Sequence, residues 1–250
     1  MVLPNIDILN GITGLEILLS GYILGFILIF KHARKAPKKK AKKNLILSGI
    51  GLISLFQAWF AVSASFVLIL LGLHPLGYPT GDPNVGVLAY AWGPALGVPI
   101  WAYIASDLFK KGRYKIPITG IFVILSVIFA VFIYAVPNSV LRSTSWSASA
   151  EGGLPETGIR GPALLTLAAM LVIMMIILGP TIIFSGLKLE DKSAKGRRLL
   201  FGIGIIMGSF FGILDAALGA EEIGLIGLAI VKAGIFTSIF LIYEGIDKGT

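Results

Sequence analysis

Three ionisable side chains stand inside long apolar stretches of this sequence, where charge is costly. Lys232 lies at the middle of the last stretch, Glu16 lies within the first, and Asp215 lies about one turn from the end of the sixth. A charge at the centre of a membrane helix costs about 3 kcal/mol or more unless it is paired or faces water. An amine and two carboxylates in this setting predict a charge relay or a binding site for an ion, a proton or a small solute.

The positions of these residues predict which of them pair. In a sequential ring of seven helices, the seventh helix is flanked by the sixth and the first, so each neighbour brings a carboxylate towards Lys232. The axial offset between Glu16 and Lys232 is about 5 Å by helical rise, within reach of a lysine side chain. We therefore predict a Lys232–Glu16 ion pair, with Asp215 as a shallower second partner. The alternative is a pair that only fixes the register of the helices.

A second candidate feature is the sequence YAWGPALGVPIWAY in the third apolar stretch. Pro94 and Pro99 each remove a backbone donor and clash with the preceding turn, which frees carbonyls near Tyr90. A helix broken in this way requires protein or a water-lined cavity around it, as in the interrupted helices of transporters. The pattern predicts a path lined by Tyr90, Trp92, Pro94 and Pro99. The alternative is a simple kink that lets Trp92 and Trp101 pack.

The residue types needed for several other chemistries are missing. The chain has no cysteine, which excludes disulfides, thiolate metal sites and cysteine nucleophiles. Its two histidines lie at the edges of apolar stretches, so a haem held by two histidines is not expected. The sequence contains no Ser–His pair, metal-ligand cluster or phosphate-binding loop. It therefore predicts neither an enzyme nor a metal site.

Composition and hydropathy identify the elements that must position these residues. Of the 250 residues, 56% are hydrophobic and only 14% are charged, and the mean hydropathy is +0.91. Soluble domains have about 25% charged residues, so a soluble protein is excluded. Seven apolar stretches are each long enough to cross a membrane as a helix: about residues 9–30, 44–72, 85–109, 116–136, 162–187, 199–219 and 223–243. Residues 1–250 are predicted to form one all-α domain, an integral membrane bundle of seven transmembrane helices.

Basic residues are concentrated in alternate loops. The first loop contains eight Lys or Arg, the third contains four and the fifth contains five, whereas the opposite loops contain two. Basic loops remain in the cytoplasm, which predicts an external N-terminus and a cytoplasmic C-terminus in a multi-pass protein of the cell membrane. The charge of these loops predicts attraction to a bilayer with anionic headgroups rather than binding of nucleic acid.

Small residues recur at every fourth position of the sixth stretch. Helix association in lipid depends on close contact, so such a stripe predicts a helix–helix interface. The stripe consists of Gly204, Gly208, Gly212, Ala216 and Ala220.

A lysine halfway along the seventh of seven helices, with an external N-terminus, resembles the microbial rhodopsins. The run KAGI that begins at Lys232 is similar to the Lys-Val-Gly-Phe stretch common in that family, and Trp92 matches a tryptophan that lines the family's retinal pocket. The resemblance implies retinal bound to Lys232 as a Schiff base, with Glu16 as a substitute counterion. The chain departs from the family at Leu228, where an aspartate is usual, and at Ala91, where the counterion of the third helix would stand.

Three classes of function follow from these features. The leading hypothesis is transport of an ion, a proton or a small solute through a site built on the intramembrane Lys–Glu pair. The second is a seven-helix sensor, or a retinal-binding photoreceptor or pump. The third is a non-catalytic subunit of a larger membrane complex, in which the small-residue stripes would contact partner subunits or further copies of the chain.

Overall fold

Long helices make up almost all of the structure, a computed structural model that describes residues 5–76, 83–106, 115–143, 157–218 and 220–246. A short helix, Pro137–Val140, and two antiparallel strands of three residues, β1 (Leu141–Ser143) and β2 (Thr157–Ile159), lie between the fourth and fifth long helices. The long helices are α1 (Asn5–Lys35), α2 (Lys39–Leu70), α3 (Pro83–Ser106), α4 (Lys115–Ala135), α5 (Gly161–Leu187), α6 (Lys192–Ala217) and α7 (Ala220–Gly245).

Six of these helices are long and apolar enough to cross a membrane, which supports the multi-pass membrane class. They are α1, α2, α4, α5, α6 and the Ile223–Gly245 part of α7. Large apolar side chains are exposed along the outside of the bundle, as expected where lipid replaces water; Ile124, Leu165 and Ile226 are examples. The predicted third span corresponds to α3. This segment is helical, but some of its side chains lie outside the part of the chain that the structure describes. The count of seven spans and the orientation in the membrane stay predictions.

Glycines allow neighbouring helices to approach one another closely. A Cβ built on Gly25 of α1 would lie 2.8 Å from the carbonyl oxygen of Gly49 of α2, and one built on Gly49 would lie 2.6 Å from that of Gly25. Gly179 of α5 and Gly202 of α6 face each other in the same way, at 3.2 Å and 2.9 Å. These backbone contacts leave no room for a side chain, so they fix the distance and register of both helix pairs.

The small-residue stripe of α6 packs against α7 at two of its predicted positions. A Cβ on Gly204 would lie 2.8 Å from the backbone nitrogen of Ile242, and one on Gly208 would lie 3.0 Å from the Oγ of Ser238. Gly212 has a looser contact, 3.6 Å from Leu171 of α5. Because α6 and α7 run antiparallel in this register, the end of α6 lies beside the middle of α7.

Several long helices contain turns of a different geometry. The chain forms π-helical turns at Ile27–His32 in α1 and Met174–Leu178 in α5, and a 3₁₀ turn at Gln57–Trp59 in α2. In α7, Gly224 has a φ of +66°, a value that glycine adopts without steric cost, and the helix is interrupted there. The 3₁₀ turn of α2 determines the direction in which Gln57 and Trp59 leave the helix, and the Oε1 of Gln57 accepts a hydrogen bond from the hydroxyl of Tyr22.

Helix α3 continues through both of its prolines, so the predicted break in this helix is wrong. The neighbouring glycines explain why a continuous helix is tolerated. A Cβ on Gly93 would lie 3.0 Å from the carbonyl oxygen of Ser54, and one on Gly97 would lie 2.9 Å from the backbone nitrogen of Leu55. The backbone of α3 therefore packs directly on α2 through these two glycines.

Candidate functional site

A buried ion pair joins α6 to α7. The Nζ of Lys232 lies 2.7 Å from the Oδ1 of Asp215. Lys232 is 4% exposed, and Asp215 is partly buried. The distance is that of a charge-assisted hydrogen bond. Both residues were predicted as parts of the site, and the structure brings them together.

The predicted pair between Lys232 and Glu16 is wrong. Glu16 is exposed on the outer face of α1, whereas the next residue, Ile17, is buried in the bundle. Helical rise fixes only the level of a residue along the axis, and each residue also turns the side chain by about 100°. Asp215 was expected to be shallower than Lys232. The register of α6 against α7 instead places it level with the middle of α7.

Trp59, on the 3₁₀ turn of α2, contacts both charges of the pair. Its Nε1 donates a hydrogen bond to the Oδ2 of Asp215 over 3.1 Å. The Nζ of Lys232 lies 5.6 Å from the centroid of its ring, within the range of a cation–π interaction. One oxygen of the Asp215 carboxylate thus faces the ammonium and the other faces the indole, so three helices hold the pair in place.

The ion pair faces a partly open cavity of about 120 Å³. One water molecule needs about 10–15 Å³ of such space, so the cavity holds several waters or one small solute. Of the seven predicted site residues, Lys232, Asp215, Tyr90 and Pro94 line it. Its wall also includes Asn10, Trp59, Trp101, Ser209 and Ser238.

Several polar side chains belong to this wall, and one of them, the Nε1 of Trp101, is buried with no hydrogen-bond partner within the described part of the chain. The amide of Asn10 and the hydroxyl of Ser209 belong to residues that are 7% and 3% exposed. Ser238 donates its hydroxyl to the carbonyl of Ile235 over 2.6 Å. The Asn10 amide and the Ser209 hydroxyl are polar groups of the wall to which a species in the cavity can form hydrogen bonds.

The other predicted binding residues lie away from the cavity. Trp92 is 60% exposed on the outside of α3, and Pro99 is half-buried without lining the cavity. The fully buried tryptophan of this helix is Trp101, whose Nε1 lies against Gly51 of α2. The match of Trp92 to a tryptophan of a retinal pocket therefore has no counterpart in this arrangement.

The sequence carries a signal for one of the residues that we missed. Asn10 is a polar residue within the first span, and a buried amide in an apolar helix indicates a polar partner. Ser209 lies beside the glycine stripe of α6, where small polar residues are common at helix contacts. Trp59 has no comparable signal, because its position depends on the 3₁₀ turn of α2.

The chemistry that these groups support is reversible binding of a small polar species. The ammonium of Lys232 has three donors, of which Asp215 takes one. Together the two charges make the site electrically neutral. Among the described residues there is no group of three or more His, Cys, Asp or Glu that could hold a metal ion.

Trp59→Phe tests the contribution of the indole to the site. The variant keeps an aromatic ring beside Lys232 and removes the donor to Asp215. We expect a loss of stability of about 1–3 kcal/mol, the range for a hydrogen bond to a charged group. Thermal unfolding of the purified protein in detergent measures this change. An unchanged unfolding midpoint would show that Trp59 does not hold the carboxylate.

Comparison with known proteins assigns this chain to no family. No protein-family model, curated protein or solved structure matches the chain. No relative therefore supports a relationship with the microbial rhodopsins, and the fold and the geometry of the site carry the functional argument.

Proposed function

We propose that this protein is a membrane transporter that moves an ion, a proton or a small solute through the cavity beside Lys232 and Asp215. The observation that carries this proposal is the position of a buried ion pair on the wall of a partly open cavity rather than inside sealed packing. Such a pair can exchange its contacts with water or with a solute, because space for a ligand already lies next to both charges.

The surroundings of the pair favour transport over a purely structural role. Fixing the register of two helices requires only that Lys232 and Asp215 contact each other, and a buried ion pair is seldom more stable than an apolar pair of the same size. The cavity and the polar side chains of Asn10 and Ser209 that line it add nothing to such a role. They are the features that a binding site requires.

Helix α3 contributes to the proposed site through a single turn. Pro94 has no N–H to donate towards the carbonyl of Tyr90, four residues earlier, and both residues face the cavity. A helix weakened at one turn beside a solute site can bend there as the site changes its contents. In this proposal Pro94 and Tyr90 form the part of the wall that moves, whereas Lys232 and Asp215 form the part that binds.

Flux into liposomes tests the proposal. Purified protein is reconstituted into vesicles, a gradient of a small solute is imposed, and reswelling is followed by light scattering. Glycine, urea and potassium salts serve as probes, and an internal pH dye reports proton movement. We expect faster uptake of at least one probe than in protein-free vesicles. We expect that gain to be lost in Lys232→Met/Asp215→Asn, which leaves no uncompensated charge.

Glu16→Gln is the matched control for this experiment. It removes an ionisable carboxylate that lies on the outer face of α1 and does not line the cavity. We expect this variant to transport at the wild-type rate. The proposal fails if wild-type vesicles take up no probe faster than protein-free vesicles, or if the double variant, while folded, remains as active as the wild type.

One observation favours a second candidate, the retinal-binding protein that the sequence resemblance implies. A lysine amine in an apolar pocket beside a carboxylate is the arrangement that a retinal Schiff base and its counterion require, with Asp215 in the place expected for Glu16. A visible absorbance band on addition of retinal, absent in Lys232→Ala, would favour this candidate. Protein that stays colourless would exclude it.

A further inference from the structure

We propose that the transported species is a small monovalent anion that is carried together with one proton. This inference rests on the proposed transport function and names its substrate class. It is drawn from the charges that face the cavity, the hydrogen-bond donors that line it and the size of the space.

Charge neutrality couples the anion to a proton. The described ionisable side chains at the cavity are Lys232 and Asp215, apart from the phenol of Tyr90, so the empty site has no net charge. An anion alone would leave one uncompensated negative charge in a medium of low dielectric constant, which is costly. A proton on the carboxylate of Asp215 restores neutrality and releases Lys232, whose ammonium then binds the anion. The stoichiometry of one proton to one anion follows.

The donors around the cavity favour an anion over a cation. Once Asp215 is protonated, Lys232 can direct its N–H groups to the ligand, and the Asn10 amide and the Ser209 hydroxyl, which line the cavity, can supply further donors. A cation would need the carboxylate of Asp215, where it would have to share the lone pairs with the ammonium of Lys232 and the indole N–H of Trp59. It would also have to approach the ammonium of Lys232.

The volume of the cavity limits the size of the anion. At about 120 Å³, the space accommodates chloride or nitrate with a few waters. These two ions are suitable probes because neither crosses a lipid bilayer readily as a neutral acid. Gluconate is the matched large anion, with the same charge and a greater volume.

Vesicles that contain an internal pH dye test the coupling directly. We impose an inward gradient of KCl or KNO₃ against potassium gluconate, with potassium equal on both sides. Wild-type vesicles should acidify inside as the anion and the proton enter together. Valinomycin should not change the rate, because the movement carries no net charge. Acidification should fall by about tenfold or more in Lys232→Met/Asp215→Asn, which lacks the cation that binds the anion.

The single variant Asp215→Asn separates the anion from the proton. Its amide imitates the protonated acid, so the anion should still enter, but without a proton and with dependence on valinomycin.

A second measurement does not depend on transport. In this variant the charge of Lys232 is uncompensated, so chloride or nitrate should raise its thermal unfolding midpoint relative to gluconate, because the anion binds only the folded protein. Glu16→Gln should behave as the wild type in both measurements.

The outcomes distinguish this inference from the transport proposal. Three results would overturn the anion–proton assignment while transport stands. They are uptake that follows the cation, uptake of a neutral probe without proton movement, and anion uptake by the wild type without internal acidification. An Asp215→Asn protein whose unfolding midpoint is the same in chloride, nitrate and gluconate would also overturn it. Vesicles that take up none of the probes would overturn both.

Discussion

Lys232→Met is expected to lose about 3–5 kcal/mol of stability, the cost of leaving one member of a buried ion pair without its partner. The methionine keeps the length of the side chain but leaves the carboxylate of Asp215 with only the indole of Trp59 as a partner. The unfolding midpoint in a denaturing detergent titration should fall markedly. Wild-type stability in this variant would show that the carboxylate is well hydrated without Lys232.

The double variant Lys232→Met/Asp215→Asn is the decisive comparison for the same pair. It removes both charges, and its asparagine can still accept the hydrogen bond from Trp59, so we expect most of the lost stability to return. A double variant that is stable but does not transport would assign the pair to function. A double variant that is stable and fully active would assign it to helix register alone. The control is Glu16→Gln, with an expected effect within about 0.5 kcal/mol of the wild type if its carboxylate has no protein partner.

Gly49→Ala should destabilise the bundle by about 1–3 kcal/mol, the usual cost of forcing atoms into a well-packed contact. The new methyl group would stand 2.6 Å from the carbonyl oxygen of Gly25, which belongs to the backbone and cannot rotate away. The two helices must therefore separate or shift. Thermal unfolding in detergent measures the effect.

Gly120→Ala in α4 is the matched control for that substitution. A Cβ at this position meets nothing within 4 Å, and the backbone is helical. Alanine is the better helix former, so we expect a gain of about 0.5–1 kcal/mol instead of a loss. Equal effects of the two substitutions would show that the close approach of Gly25 and Gly49 does not hold α1 against α2.

The sequence predicts the membrane class and the presence of a charged site for the same physical reason. Hydrocarbon tolerates long apolar helices and penalises an isolated charge, so Lys232 had to have a partner nearby. Whether Lys232 pairs with Asp215 or with Glu16 depends on which face of α1 carries Glu16 and on the register of α6 against α7. Both are set by the packing of several helices rather than by positions along the chain.

Other features of the site escape prediction because they arise from tertiary contacts. The prolines of α3 predict a break, yet the helix is continuous, and Gly93 and Gly97 let it pack closely against α2. Trp59 contacts Asp215 because it lies on a 3₁₀ turn of α2, and no local sequence pattern in α2 predicts that turn. The length of an apolar helix and the positions of its small residues can be read from the sequence. The rotation of the helix about its own axis depends on its packing against all neighbouring helices.

The pitch of the turn Gln57–Trp59 controls whether the indole can reach the carboxylate. A 3₁₀ helix turns about 120° per residue and an α-helix about 100°, so rewinding these three residues would rotate Trp59 by about 60° around the axis of α2. Such a rotation withdraws the Nε1–H from Asp215 and the ring from Lys232, while the glycine contacts of α2 hold the axis in place. A change in winding confined to this turn is thus sufficient to remove the contacts of Trp59 with both charges without separating the helices.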